Sequence, residues 1–328
     1  MNTQYELLKH SEIIKNAFTR WESYREYVTE YVLEHIESDR MKVVGAGVSN
    51  DLDLACLAKY LNSIILLDRR EQDCKEAFLK YHLQGKQTVV FQQSSFWNIT
   101  DQEFAEFESL VCNVTKQTYM AQAVLDYMEQ LGRKLSAEAK NDKSCEYDNS
   151  LGAFHRDVLT EKGHPGNQKP TYCMIGLHSQ LNIMFVQLAK AYLGKNNDNV
   201  MHAICQKVCQ LNELAAESCI HWLKRSGCET FVMGFEMAVA YTESDRRLFQ
   251  AFIKQHDGET DFDKKQELWM CMRKKIEDKR VEGAYQMLQT VEWCDKEKIV
   301  TLLDTQYTIW PFSEEKEYLM CLITCKFC

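Results

Sequence analysis

The sequence MKVVGAGVSND (residues 41–51) joins a short apolar run to two closely spaced glycines, Gly45 and Gly47. Such a run is typical of a buried strand that enters a tight turn, because glycine adopts backbone angles that other residues avoid. Glycines in such a turn also let the backbone approach a ligand closely at the start of a helix. Since residues 52–60 have a helical pattern, the stretch predicts a strand, a turn able to bind a ligand, and a helix.

Strands and helices alternate along the chain beyond this turn. Apolar runs predict further strands at residues 63–67, 88–91, 171–176 and 230–235, with helical patterns between them. Continuous apolar strands separated by amphipathic helices indicate a mostly parallel sheet that is covered on both faces. The last two apolar runs, YTIWPF and YLMCLITCKF, are joined by the polar turn SEEKE and predict an antiparallel hairpin. We therefore expect a doubly wound, Rossmann-like α/β fold with seven strands.

The remaining segments predict additions to this sheet. Residues 4–37 have the pattern of two helices and are interpreted as an N-terminal helical cap, residues 1–40, on a main domain at 41–328. An insertion is expected at 101–170, helical over 101–131 and loop-like over the polar stretch 132–170. Two or three helices are predicted within residues 244–303.

Composition narrows the possible partners. The formal net charge is −9, and no dense Lys/Arg run supplies the electrostatic attraction that drives nucleic-acid binding. No stretch offers the roughly 18 apolar residues of a membrane span, and the N-terminus lacks a secretory pattern. We expect a cytoplasmic protein with reduced cysteines and a small-molecule partner, without nucleic acid or membrane; the sequence does not indicate the oligomeric state.

An acidic residue, Asp68, ends the second predicted strand, 23 residues after Gly45. A carboxylate in this position can accept hydrogen bonds from both hydroxyls of a ribose. A dinucleotide-binding turn requires a small residue at position 50, where this chain has Asn50. Asp51 adds negative charge where a pyrophosphate would lie. These residues predict a ribose-containing ligand and disfavour a dinucleotide.

The chain here resembles the class I S-adenosylmethionine (SAM)-dependent methyltransferases. VVGAGVSNDLDL is similar to their first motif, Asp68 takes the place of their ribose-binding acid, and the terminal hairpin is similar to the end of their sheet. In that family an acid and an apolar residue after the third strand hold the adenine, and Ser95 and Phe96 occupy those positions. The resemblance implies SAM as cofactor, with S-adenosylhomocysteine (SAH) as product. The implied cofactor-binding residues are Gly45, Ala46, Gly47, Asp51, Asp68, Arg69, Ser95 and Phe96.

The segment after the fourth predicted strand, Gly176-Leu-His-Ser-Gln180, stands where the family meets its methyl acceptor. His178 is the candidate catalytic base, because a histidine there can take a proton from an acceptor hydroxyl or amine. The Asn/Asp-Pro-Pro-Tyr/Phe signature of base methylation is absent at this position. The resemblance thus implies O- or N-methylation of a small molecule by in-line displacement.

Other interpretations remain open from the sequence. The glycines can form a plain turn, Asp68 can cap a helix, and His178 can be structural. The chain can then be a non-catalytic protein of the same fold that binds a metabolite or partner, or a nicotinamide-dependent oxidoreductase. The spacing of Cys321, Cys325 and Cys328 is similar to that of the cluster motif of radical SAM enzymes. In a strand, however, the first two face the core and the third faces away, so we expect no metal.

Overall fold

A computed structural model of the protein describes residues 3–11, 14, 16–84, 88–94, 97–114, 120–141, 169–193 and 197–328. Within these ranges seven strands form one sheet. They are β1 (Arg40–Val44), β2 (Ser63–Asp68), β3 (Val89–Gln93), β4 (Thr171–Ile175), β5 (Thr230–Ala240), β6 (Val300–Trp310) and β7 (Glu317–Phe327). Their order is β3-β2-β1-β4-β5-β7-β6. Only β7 is antiparallel, to both of its neighbours, so the predicted sheet and its terminal hairpin are confirmed.

Twelve α-helices are described in the same ranges, and a short 3-10 turn lies at Glu277–Lys279. They are α1 (Gln4–Ser11), α2 (Ala17–Arg20), α3 (Glu22–His35), α4 (Leu54–Tyr60), α5 (Glu71–Lys80), α6 (Asp101–Val114), α7 (Met120–Asn141), α8 (Ile183–Leu193), α9 (Asp198–Arg225), α10 (Glu243–Gly258), α11 (Phe262–Lys275) and α12 (Ala284–Lys296). None of the described helices combines the length and apolar character that crossing a membrane requires.

The sheet is buried on both faces. Along β2, Ile64 and Leu66 pack into the core under α3 and α4, whereas Ile65 and Leu67 pack into the core under α9 and α12. Successive side chains of a strand point to opposite faces, so an unbroken apolar strand fits only where both faces are covered. A third apolar cluster joins α1, α6, α7, α8 and α9.

Two predicted boundaries differ most from the structure. Helix α7 continues to Asn141, past the predicted loop start at 132, because Leu131 and Leu135 are buried there. Strand β6 begins at Val300, inside the stretch predicted as helical to 303, because Val300 pairs with Phe327 on β7. Pairing with a long neighbouring strand overrides local helical pattern here. The predicted loop beyond 141 falls largely on residues 142–168, outside the described residues.

Helices α2 and α3 are fastened to the C-terminal hairpin. The Trp21 indole N–H donates to the carbonyl of Phe312 at 3.1 Å, and the Tyr27 hydroxyl donates to Gln306 at 2.9 Å. The Trp21 ring meets Trp310 edge-on, with 4.8 Å between the ring centroids. These helices therefore cover one face of the sheet. The boundary of a separate cap at residue 40 stays a prediction.

Candidate functional site

The glycine turn and Asp68 are in direct contact. Gly45 and Gly47 have positive φ angles, +67° and +48°, and the Gly45 N–H donates to the carbonyl of Leu67 at 2.8 Å. The Gly47 N–H donates to Asp68 Oδ2 at 2.8 Å. The turn after β1 and the carboxylate that ends β2 therefore lie together at one edge of the sheet.

Asp68 is held in place without capping a helix. Its second oxygen, Oδ1, accepts the N–H of Arg70 at 2.9 Å, and Arg70 itself precedes α5 without a side-chain cap. An ionised carboxylate has about four acceptor positions, so each oxygen keeps capacity for a ribose hydroxyl. The neighbouring Arg69 side chain is 43% exposed and lies 3.9 Å from Asp101. Ser95 and Phe96 lie outside the described residues.

Residues 48–52, which continue the turn, are fixed from two sides. From α5, Lys80 donates to the Val48 carbonyl and, at 2.7 Å, to the side chain of Asn50. The Tyr81 hydroxyl lies 2.7 Å from the Ser49 carbonyl oxygen. From α3, Arg25 donates to the Asn50 carbonyl at 3.4 Å. Burial lowers the pKa of Lys80 to about 8. The turn is thus preorganised, as ligand-binding loops commonly are.

Leu177, which sequence reasoning missed as a site residue, lies against the glycine turn from the loop after β4. A Cβ atom placed on Gly45 would lie 2.5 Å from Leu177 Cδ1. Any ligand atom that approaches the Gly45 backbone from this side therefore meets the Leu177 side chain. The Leu177 side chain therefore covers the turn on this side.

His178 is placed in the interior, where its environment is unlike that of an exposed base. The residue is 2% exposed, and its ring centroid lies 5.7 Å from that of Phe235. Burial lowers the pKa of His178 to about 3, because desolvation disfavours the charged imidazolium. The ring is therefore neutral at physiological pH and a weak proton acceptor.

This burial predicts that His178 does not titrate in the physiological range. We expect its imidazole carbon resonances to stay constant from pH 5 to pH 8, since the pKa lies near 3. The measurement is a two-dimensional NMR titration, with the His178 signal assigned by its loss in the His178→Gln variant. A midpoint inside that range would show that the ring is solvated.

Glu236 is an interior carboxylate near the turn, and it is only 1% exposed. It lies in β5 where the register with β7 shifts, between Glu236 and Ala238, and such bulges re-aim side chains beside functional sites. Ser179 Oγ donates to Glu236 Oε1 at 2.8 Å. Glu236 is the only acidic residue in the strand TFVMGFEMAVA. An acid within such a strand is the sequence feature that could have identified Glu236 as a site residue.

Asp51, Tyr24 and Trp310 adjoin Glu236. Burial, reinforced by the charge of Glu236, raises the pKa of Asp51 to about 7. Tyr24 and Trp310 stack with their ring centroids 5.6 Å apart and are 3% and 4% exposed. Burial and then the charges of Asp51 and Glu236 raise the pKa of Tyr24. We call Tyr24, Asp51, Glu236 and Trp310 the buried polar cluster.

Comparisons with known proteins give likenesses of fold only. No family model matches the sequence, and no curated protein matches it. A structural match is magnesium protoporphyrin IX methyltransferase from Synechocystis with bound SAH, at 8% identity and a TM-score of 0.42, over 98% of this chain and 100% of that chain. The N-methyltransferase NodS from Bradyrhizobium japonicum, in complex with SAH, matches at 7% identity and a TM-score of 0.41, over 99% of each chain.

A third match is the methyltransferase domain of a bacterial Hen1 protein, at 9% identity and a TM-score of 0.35, over 94% of this chain and 98% of that chain. All three matched proteins are methyltransferases.

Proposed function

We propose that this protein is a SAM-dependent methyltransferase that acts on a small molecule. The observation that carries the proposal is the hydrogen bond from Gly47 to Asp68. It joins a glycine turn and a carboxylate at the carboxyl ends of β1 and β2. The strand order reverses between β1 and β4, and ligands of open α/β sheets bind at such a switch point.

The residues present fit SAM by their chemistry. The backbone of Gly45, Ala46 and Gly47 gives a close approach, and Asp68 supplies acceptors for the ribose hydroxyls. Asp51 Oδ1 is buried and has no hydrogen-bond partner within the described ranges, so it suits the positive end of the ligand. We also propose Arg69, Ser95 and Phe96 on the adenosine side. When bound, SAM supplies an activated methyl group, and the protein aligns the acceptor and excludes water.

A non-catalytic protein of the same fold is the second candidate. The burial of His178 and the position of Leu177 over Gly45 favour it, because the first removes an exposed base and the second narrows the approach to the turn. An oxidoreductase of the dinucleotide type is disfavoured by Asn50, by Asp51 and by the antiparallel β7.

Replacing Asp68 by alanine is expected to weaken SAH binding about tenfold or more, the scale of a lost charge-assisted hydrogen bond. Asp68→Asn keeps an acceptor for the Gly47 N–H and is expected to have an intermediate effect. Isothermal titration calorimetry with SAH measures both affinities, and thermal melting checks that each variant is folded.

Asp39→Ala is the matched control, because this exposed aspartate precedes β1 at the opposite edge of the sheet. It should bind SAH as the wild type does. Unchanged affinity in Asp68→Ala would remove Asp68 from the site. Wild-type protein that binds neither SAM nor SAH would instead favour the non-catalytic candidate, and a fluorescence titration with NADH tests the oxidoreductase.

A further inference from the structure

The buried polar cluster has more hydrogen-bonding capacity than the surrounding protein uses. Tyr24 Oη, Asp51 Oδ1, Glu236 Oε2 and Trp310 Nε1 are all buried, and within the described ranges none has a hydrogen-bond partner. A buried polar group left unpaired costs about 1–3 kcal/mol, so such groups are rare in native proteins and call for an explanation. Four of them in one cluster indicate a place for a polar ligand.

The cluster adjoins the glycine turn through the loop after β4. A Cβ atom on Gly176 would lie 3.5 Å from Glu236 Oε1 and 3.9 Å from the Trp310 ring. The next residue, Leu177, lies against Gly45. Asp51 belongs to the segment that continues the turn. A ligand in the cluster would therefore be a neighbour of a ligand on the turn.

The chemistry of the cluster favours a ligand that donates hydrogen bonds and carries positive charge. Two of the four groups are carboxylates; with Asp51 facing the positive end of SAM, Glu236 is the carboxylate that remains for a second ligand, and the Tyr24 oxygen also accepts. The charges of Lys80 and Arg25 lower the pKa of Asp51. The charge of Lys316 lowers the pKa of Glu236. Lys80 and Arg25 already bond to residues 48–50. The Tyr24 and Trp310 rings add the attraction of an aromatic face for a cation.

We propose that the methyl acceptor of this protein is an amine, bound in the buried polar cluster, and that Glu236 accepts its proton. The proposal rests on the proposed methyltransferase function and names its substrate class. Ser179 holds Glu236 Oε1, which leaves Oε2 for the amine. Burial raises the pKa of the Glu236 carboxyl, which is the direction that suits a general base.

The proton and electron balance of the step is simple. The nitrogen lone pair of the amine forms a bond to the methyl carbon, and the carbon–sulfur bond breaks with its electron pair left on sulfur. Before this bond forms, the bound ammonium ion gives one proton to Glu236 Oε2, which frees the lone pair. After transfer the methylated nitrogen carries one positive charge and leaves as an ammonium ion. Solvent removes the proton from the Glu236 carboxyl group after the products leave. No oxidant or further reactant is required.

Binding measurements on SAH-loaded protein test the proposal without depending on turnover. The probes are phenethylamine and tryptamine, each paired with the alcohol of the same skeleton, 2-phenylethanol and indole-3-ethanol. At least one amine should bind ten or more times more tightly than its alcohol. In Glu236→Gln, which keeps the size of the side chain, that preference should disappear. Transfer of labelled methyl from SAM to the preferred amine should fall about 100-fold or more, the scale of a lost general base.

Glu229→Gln is the matched control, because Glu229 is an exposed glutamate at the other end of β5; it should keep the amine preference. Amines that bind no better than their alcohols would overturn the proposal, as would an unchanged preference in Glu236→Gln. If Glu236→Gln weakens SAH binding tenfold, Glu236 holds the cofactor's ammonium group instead, and the acceptor proposal fails while the methyltransferase stands. Wild-type protein that binds no SAH would contradict the methyltransferase proposal itself.

Discussion

Replacing Gly283 by alanine is expected to lower the free energy of unfolding by about 2–5 kcal/mol. Gly283 has φ +85° and ψ −59°, the region of the rare and strained γ-turn, which costs an L-residue about 1–3 kcal/mol. Its Cβ atom would also lie 2.5 Å from the carbonyl oxygen and 3.2 Å from the carbonyl carbon of His178. These are backbone atoms that cannot rotate away, and overpacking of this kind costs about 1–3 kcal/mol.

Alanine variants at two other glycines measure the effect of backbone strain separately from the effect of lack of space. Gly227 has φ +70° with nothing within 4 Å of a new Cβ atom, and Gly258 has open space without a positive φ. Gly227→Ala should therefore lose only the strain energy, about 1–2 kcal/mol, and Gly258→Ala should stay near wild type. Urea denaturation measures all three. A Gly283→Ala loss no larger than that of Gly227→Ala would contradict the packing argument.

The pH dependence of stability should change when Asp51 is replaced by asparagine. Burial raises the pKa of Asp51 from 3.8 to about 7. Between pH 4 and pH 7 the folded state therefore keeps a proton that the unfolded state has released, and stability falls as the pH rises through this range. Asp51→Asn removes this contribution. Its melting temperature should exceed that of the wild type at pH 8, on the order of 3 °C or more, and the difference should vanish below pH 4.

Asp245 supplies a control of opposite sign. The Thr242 cap and Lys279 hold the pKa of Asp245 below its ordinary value of 3.8, against the opposing effect of burial. This group stabilises the fold above pH 4, and the stabilisation is lost as the pH falls. Asp245→Asn should therefore melt below the wild type at pH 7 and approach it in acid. Melting temperatures of both variants and of the wild type, measured from pH 3 to pH 8, test these two expectations. An Asp51→Asn variant that melts below the wild type at pH 8 would show that charged Asp51 is stabilising.

Local sequence patterns predict the glycine turn and its contact with Asp68, but they do not predict the buried polar cluster. The turn lies within one strand–turn–helix unit, and Asp68 ends the next strand, so their spacing alone predicts that they meet. Tyr24, Glu236 and Trp310 come from three distant segments. Their meeting depends on the register shift in β5 and on the pairing of β6 with β7, which no local pattern encodes. The burial of His178 depends likewise on the turn at Gly283, whose backbone packs against it.

The boundary errors have the same origin. The stretch that begins at Val300 follows a helix, and its strand state is decided by β7, which is later in the chain. The expected core positions of Cys321 and Cys325 are confirmed, since both are fully buried and Cys328 is exposed. Every residue of β7 from Tyr318 to Cys325 is buried, so the continuous apolar run predicts those positions, and Cys328 follows the end of the strand.

The attachment of α2 and α3 to the hairpin has a consequence for synthesis. Trp21 and its partner Phe312 are 291 residues apart, and ribosomes add about 5–20 residues per second. The aromatic side chains of the first helices therefore wait roughly 15–60 s before their binding surface has been translated. During that interval the nascent chain leaves Trp21 and Tyr24 exposed to solvent, and transiently exposed apolar surface of this kind is prone to aggregation. Docking of α2 and α3 therefore follows synthesis of the hairpin, and contacts this distant in sequence form slowly.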